Sequence, residues 1–495
     1  MTIGGEIRNR ITSEASRPTS GASVAAFRVA FGVVALVAIG RLFANGWIDD
    51  LYIEPVHRFA YPGFGWVMPL PGWGMYLHFA ALGVLAMCIA AGYRYRLCVV
   101  LFFVGFTYSE LIDRTIYLNH HYWMILAAFL MIFLPLGRVY SVDAWRNRSM
   151  QDAVIRRDTV QAWVLWALRA QVGVVYVFAG IAKLNPDWLI HAQPLRIWLY
   201  QHGDMPIVGA LPQELWVAYA MSWAGAAFDL TIVGWLLWHR TRLWAYITLV
   251  VFHLATWMLF PKLGIFPWLM IAGATVFLRP DWPLLLLRSM PLQWIPLQWL
   301  IYRVALRGED AGISENPSAD PSDGILATAQ ANANGQECRQ VRLSWAARAT
   351  IVVLAIFAVA QVALPLRHFA YPGNVRWTEA GYLFAWRVML TEKTGLVHYH
   401  VRDLDGGKAW LITPDDYLTP LQVERMAFQP DLILQTAHFI ADDFAMRGYN
   451  GVAVNAEAFV AWNGRPHGRL INPEADLASV KSGSMPNKWI LPYEN

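Results

Sequence analysis

Several polar side chains in this chain sit inside or at the edge of long apolar runs, where solvation does not explain them. They fall into four clusters. Asp113-Arg114 is followed by Asn119-His120-His121. Arg169 and Gln171 precede Tyr176 and Lys183 in LRAQVGVVYVFAGIAKLNPDW. His253 lies in FHLATWMLFPKLGIFPW, and LRHFAYPGNVRW forms a polar hairpin further on. An ionisable group inside a membrane span costs about 2.5–3.5 kcal/mol on insertion scales unless it is paired or hydrated, so each is a candidate for chemistry. Each also has a plain structural use. Asp113 and Arg114 can form an interfacial pair, Arg169 can meet a carboxylate on a neighbouring helix, Lys183 can snorkel to the headgroups, and His253 can be a satisfied core histidine. Spacing favours chemistry for some of them. Arg169, Tyr176 and Lys183 recur at intervals of seven and share nearly one helical stripe. Asn119 and His120 open a helix on the side where Lys183 closes one, so they can share a depth. A lysine beside an imidazole at the edge of an apolar bundle is a usable base near neutral pH.

The elements that position these residues follow from composition. Of 495 residues, 57% are hydrophobic, 25 are Trp and only 15% are charged, against about 25% charged in a soluble domain. The chain therefore lacks the polar surface to dissolve a globule of its size. This excludes a nucleic-acid binder, a secreted disulfide scaffold and a cytosolic enzyme with a peripheral anchor. The net charge of +4 says little about partners beyond the lipid bilayer itself. Windows of about 20 apolar residues, enough to cross the hydrocarbon layer, fall at 22–44, 75–93, 96–117, 120–137, 160–183, 214–238, 241–260, 264–279 and 346–366. The first is too long for a signal-peptide core. With nine spans every basic loop lies on one side: Arg8, Arg10 and Arg17, then Arg94 and Arg96, Arg138 to Arg157, Arg240 and Arg242, Arg279 and Arg288. The positive-inside rule places the N-terminus in the cytoplasm and the C-terminal region outside. The excess of Arg over Lys and the lack of outer disulfides suggest a bacterial inner membrane with that region in the periplasm.

The expected fold is an all-α polytopic membrane bundle of about nine transmembrane helices followed by a small α+β extramembrane domain. Residues 1–20 form a cytoplasmic tail, 21–304 a helical membrane domain with its site at the outer face, 305–342 a disordered cytoplasmic linker rich in Ser, Asn, Asp, Gly and Ala, 343–366 the last span, and 367–495 the outer domain. Within the linker's approach, 288–304 reads as an interfacial segment. In the outer domain, WRVMLTEKTGLVHYHVRDLDGGKAWLI reads as a three-stranded meander with turns at Thr394-Gly395 and Asp405-Gly406-Gly407. Leu421 to Tyr449 has helical spacing, and VAVNAEAFVAW returns to strand. Cys88, Cys98 and Cys338 make no redox or metal pattern, and no carboxylate or Cys/His spacing suits zinc or iron, so no metal is expected.

The runs from Asp113-Arg114 to Tyr122, from Tyr176 to Trp188 and from His253 to Pro267, with Leu366-Arg367-His368-Phe369, Trp377-Thr378, Trp386, Arg402-Asp403 and Thr413-Pro414, resemble the vitamin K-dependent γ-glutamyl carboxylase family and its HTTM-like membrane domain. The similarity runs in the same order from about residue 20 to about 460. It implies an enzyme that oxygenates a reduced vitamin K or menaquinone-type hydroquinone with O2. The epoxidation generates a strong base, which removes a glutamate γ-proton so that CO2 can add. By resemblance, Lys183 matches the base that deprotonates the quinol, His120 supports it, and Asn119 and Tyr176 line the quinone site. Arg169, His253 and Trp386 are further binding candidates. A Glu-containing peptide or protein on the outer side is the implied substrate, with no nucleic acid. The animal members continue into a larger outer portion that helps recognise propeptides, and their motif has a lysine pair where this chain has Ala182-Lys183. Two alternatives stand beside this reading: a quinol epoxidase or oxidase without carboxylation, and a non-catalytic membrane protein or transporter. The latter should show inverted repeats with mid-membrane breaks, and none is visible in the sequence.

Overall fold

A computed structural model describes residues 12–147, 158–201, 209–260, 263–289, 345–481, 483 and 488–493. The expected linker at 305–342 and all but the first two residues of the expected interfacial segment at 288–304 lie outside the described residues. The membrane part runs α1 (Ala22–Ala44), α2 (Trp73–Ala91), α3 (Tyr95–Ile112), α4 (Asn119–Phe133), α5 (Ala162–Lys183), α6 (Leu215–Leu237), α7 (Arg242–Leu259), α8 (Phe266–Ala274), α9 (Trp282–Ser289) and α10 (Trp345–Leu366). Seven of these are long and apolar enough to cross a bilayer, and the pair 266–277 and 282–289, bent by 101°, brings the number to eight if it counts as one broken span. Pro280 in the break cannot continue a helix. The remaining expected window becomes α4. Its 15 residues reach roughly 22 Å at about 1.5 Å per residue, and with the turn after Leu134-Pro135 they carry the chain to the end of the bundle where Arg28 of α1 donates to Leu136 and Val139. Trp123, Met124, Ala127, Ala128 and Met131 are each 1% exposed or less, so α4 serves as a central packing post.

Two contacts tie the opposite end of the bundle together. Arg28, 1% exposed within α1, donates to the carbonyls of Leu136 at 2.7 Å, Val139 at 3.1 Å, Tyr140 at 2.6 Å and Ala90 at 3.3 Å. It thereby satisfies helix-end acceptors that would otherwise be buried unpaired. A short antiparallel pair, β1 (Pro18–Ser20) with β2 (Thr159–Gln161), joins the chain before α1 to the start of α5.

The C-terminal domain packs helices on a four-stranded antiparallel sheet of order β4-β3-β5-β6, formed by β3 (Lys393–Asp403), β4 (Ala409–Ile412), β5 (Val452–Trp462) and β6 (Gly468–Arg469). Val397, Tyr399 and Val401 alternate inward on β3 and meet Val454, Ala456, Ala458 and Val460 of β5 and the buried face of α12 (Pro430–Met446), which follows α11 (Pro420–Met426). The hairpin at Asp405-Gly406-Gly407 and the strand VAVNAEAFVAW form where the alternation predicts them. Thr394-Gly395 is not a turn, and the residues before it are not a strand. β3 runs straight through Gly395, where a Cβ would lie 2.3 Å from the Ala427 carbonyl oxygen, so the glycine answers a close backbone approach. Upstream, Phe384, Trp386 and Met389 have φ between 54° and 59°, in the left-handed region that breaks strand pairing.

Polar contacts seat this domain on the end of the bundle where α4 begins and α5 ends. Asp113, 1% exposed, accepts from Thr115 N and Oγ1 and, at 2.8 Å, from Gln422 Nε2. Arg114 pairs with Asp431 at 3.2 Å. Asp113 and Arg114 therefore reach across to the domain instead of pairing with each other. Asp187, beyond α5, accepts from Arg465 Nη2 at 2.5 Å and Asn463 Nδ2 at 3.0 Å. Burial pushes the Asp187 carboxyl up, but these hydrogen bonds and the charges of Arg376 and Arg465 outweigh it and hold the group below its ordinary value. Such a group adds stability that is fully present above its unfolded pKa, about 3.9, and is lost as the pH falls through its lower folded value. Asp187→Asn should therefore lower the unfolding midpoint at neutral pH and flatten its decline below about pH 4, as measured by thermal unfolding of the detergent-purified protein across pH.

Candidate functional site

Tyr176 and Lys183 lie two turns apart on one stripe of α5 and face α6 and α7. Lys183 Nζ is 2.6 Å from Asp229 Oδ2 of α6, and the two side chains are 8% and 7% exposed. The ammonium also stands 5.2 Å from the ring centroid of Trp188. That indole is held by its Nε1 donating to Ser222 O at 2.7 Å and its backbone N–H donating to Asn185 Oδ1 at 3.1 Å. Further along the stripe, Tyr176 OH and His253 Nε2 of α7 lie 2.8 Å apart. These groups line a void of about 100 Å³ walled by Phe252, Phe260 and Phe266 and covered from the C-terminal side by Val388 and Met389.

A glycine sets the spacing that makes the ion pair possible. A Cβ on Gly180 would lie 2.9 Å from the backbone nitrogen of Leu230, the residue after Asp229. Only a glycine lets α5 and α6 approach closely enough for a lysine three residues on to meet that carboxylate.

Of the residues marked by the sequence, Lys183, Tyr176 and His253 come together in this void. His120 does not line it. Its ring lies 6.4 Å from Phe266, which is itself 6.0 Å from His253, so the two imidazoles neighbour the same phenyl ring. The charged partner of Lys183 is thus Asp229 and not His120. His120 also lies 4.7 Å from His121, whose Nδ1 is 2.7 Å from Glu110 Oε1. Asn119 accepts from Tyr117 OH at 3.1 Å, outside the void. Arg169 is likewise elsewhere, donating from Nε to Val276 O at 2.9 Å and lying over the Trp166 ring. It braces α5 against the end of α8, a structural task suited to a guanidinium among helix-end carbonyls. Trp386, 1% exposed, packs 5.0 Å from Tyr122 in the bundle core and anchors the stretch that leads to Val388 and Met389. Asp229 is absent from the four polar clusters, although a lone carboxylate in the apolar run AAFDLTIV carries the same signal as Lys183.

A helical membrane bundle with a buried lysine–carboxylate pair at one end, closed by a small α+β domain, is the architecture of an integral membrane protein with an enclosed polar site. Residues 16–282, more than half of the chain, match the HTTM domain, and residues 346–495 match the vitamin K-dependent gamma-carboxylase lumenal domain. The chain belongs to the vitamin K-dependent gamma-carboxylase family. No solved structure matches it.

The pair itself is testable by charge removal. Lys183→Met or Asp229→Leu leaves one buried charge without its partner and should each cost about 3–5 kcal/mol, whereas the double variant removes both charges and should recover most of that loss. Unfolding midpoints of the three detergent-purified variants check this.

Proposed function

We propose that the chain is a membrane carboxylase that oxygenates a reduced vitamin K or menaquinone-type hydroquinone with O2 and adds CO2 to the γ-carbon of a glutamate in a peptide or protein. The observation that carries the reading is the buried Lys183–Asp229 pair on the wall of an aromatic void. The donor set fits a quinol. Phe252, Phe266 and Trp188 offer flat apolar faces, Lys183 Nζ and the Tyr176–His253 pair offer polar atoms at the rim, and the buried His253 Nδ1 has no hydrogen-bond partner among the described residues. The void is smaller than the about 300 Å³ at the low end of ligand pockets, so Val388 and Met389 must shift to admit a ring.

When bound, the hydroquinone supplies the oxygen chemistry and the strong base that takes the glutamyl proton. The chain's own residues prepare that step. For Lys183 to accept a phenolic proton, the proton shared across the 2.6 Å contact must rest on Asp229. That transfer leaves the amine lone pair free for the phenolic proton. The Tyr176–His253 pair orients the far edge of the ring, and Val388 and Met389 over the void keep water out. His120 stands outside the void beside its Phe266 wall, and Asn119 lies outside it with Tyr117. The basic loops, among them Arg94, Arg96, Arg240 and Arg242, support an orientation with the opposite end in the cytoplasm, and in this reading the C-terminal domain faces the periplasm of a bacterial inner membrane.

Purified protein in detergent, given reduced menaquinone or vitamin K, labelled bicarbonate and a Glu peptide, should form epoxide and labelled peptide. Lys183→Ala should lower epoxide formation by about 10²–10⁴-fold, and an unchanged rate would sink the assignment of the base. Epoxide without label would make the chain a quinol epoxidase, and neither product would leave a non-catalytic membrane protein.

A further inference from the structure

A second cavity, about 350 Å³, lies on the other side of the Asn185–Trp188 turn from Lys183. Its lining carries three ionised side chains, Asp187, Arg376 and Arg465, and is otherwise neutral, with Trp377, Trp462 and Tyr493 among its walls. Arg465 grips Asp187 with both terminal nitrogens, at 2.5 and 3.3 Å. Arg376 Nη1 is 3.8 Å from the same carboxylate and gives its hydrogen bond to Asn185 Oδ1. One carboxylate therefore serves two guanidiniums, and Arg465 takes the larger share. The Arg376 side chain is only 14% exposed, and among the described residues its Nε and Nη2 have no hydrogen-bond partner. Burial weakens its hold on its proton, Asp187 offsets this in part, and the neighbouring Arg465 charge adds to it. A half-compensated cation in such a place is stabilised by an anion, and the planar guanidinium fork matches a carboxylate.

We propose that this cavity binds a carboxylate, received by Arg376 with Arg465 beside it. Access comes from a larger cavity of about 640 Å³ that shares Gly373, Thr378 and Pro492 with it. Four cations, Arg114, Arg367, Lys481 and Lys488, line that outer space against Glu379 and Asp431, so the excess of positive charge continues outward. Asn185, which bonds Arg376, also caps the turn that sets Trp188 under Lys183. An anion on Arg376 is thus one turn of chain from the proposed base. Two sources share this chemistry, bicarbonate and the γ-carboxylate of a glutamyl peptide. Naming these two rests on the proposed reaction, whereas the site rests on its own charges.

Binding to the full-length detergent-purified protein, measured by calorimetry without quinol, separates the cases. A short peptide with one Glu should bind about tenfold or more tighter than the same peptide with Gln, a difference of about 1.4 kcal/mol. Arg376→Gln should erase that preference, and Arg376→Lys should retain part of it. Displacement of the Glu peptide by bicarbonate supports a small-anion site, and a Glu preference that bicarbonate leaves unchanged supports the glutamyl source. Equal binding of Glu and Gln peptides by the wild type with no bicarbonate effect overturns the proposal. So does an Arg376→Gln variant of unchanged unfolding midpoint that keeps the preference. Because no turnover is read, failure here leaves the oxygenation reaction standing. Intact binding without epoxide would fail the reaction and spare the site.

Discussion

An ammonium and a carboxylate held 2.6 Å apart in an apolar bundle constrain almost everything around them. Taking two charges out of water costs more than their attraction returns unless geometry and surrounding contacts are good. The surroundings here supply both. Gly180 lets α5 and α6 close to backbone contact, Trp188 presents its ring to the cation, and Ser222 and Asn185 fix that ring in turn. A hydrophobic pair of equal volume would hold the helices together at least as well. Stability alone therefore does not account for the charges, and the proposed proton transfer gives them a use.

The outline of the fold was legible because its signals are long and redundant. Apolar windows, a hairpin glycine pair and strict alternation in VAVNAEAFVAW each point one way over many residues. Errors fell where a single residue type serves two purposes. Gly395 reads as a turn from sequence, yet it is needed because the Ala427 carbonyl occupies the space of a side chain. The run before it alternates like a strand, but three residues take left-handed backbone to bring Val388 and Met389 over the site. The window at 120–137 forms α4, a helix too short to count by length alone, and its apolar residues are surrounded by other helices.

The candidate site was legible in part for a similar reason. Expense in the membrane marks a residue as needing a partner without saying whether that partner is a ligand, a carbonyl or another domain. Lys183, Tyr176 and His253 converge on one void, whereas Arg169 donates to the end of α8, Asp113 accepts from Gln422 and Arg114 pairs with Asp431 on the domain across the seam. Periodicity along one helix can align Arg169 with Lys183, yet only the packing of α5 against α6 shows that Asp229 is the partner of Lys183. The match to the two family domains identifies the lineage of the chain and leaves these individual assignments to geometry.

The way α10 is packed has a consequence for how the chain is built. Its apolar window is only 11% buried, and one of its few anchors is the stacking of Phe357 on Phe129, with ring centroids 5.3 Å apart. The domain it leads to is held by Asp113 with Gln422, Arg114 with Asp431 and Asp187 with Arg465. Those contacts owe nothing to covalent continuity. The C-terminal domain stands to the bundle as a bound subunit stands to its partner, and the two family-matched portions have the interface of a heterodimer that happens to be encoded on one strand of peptide.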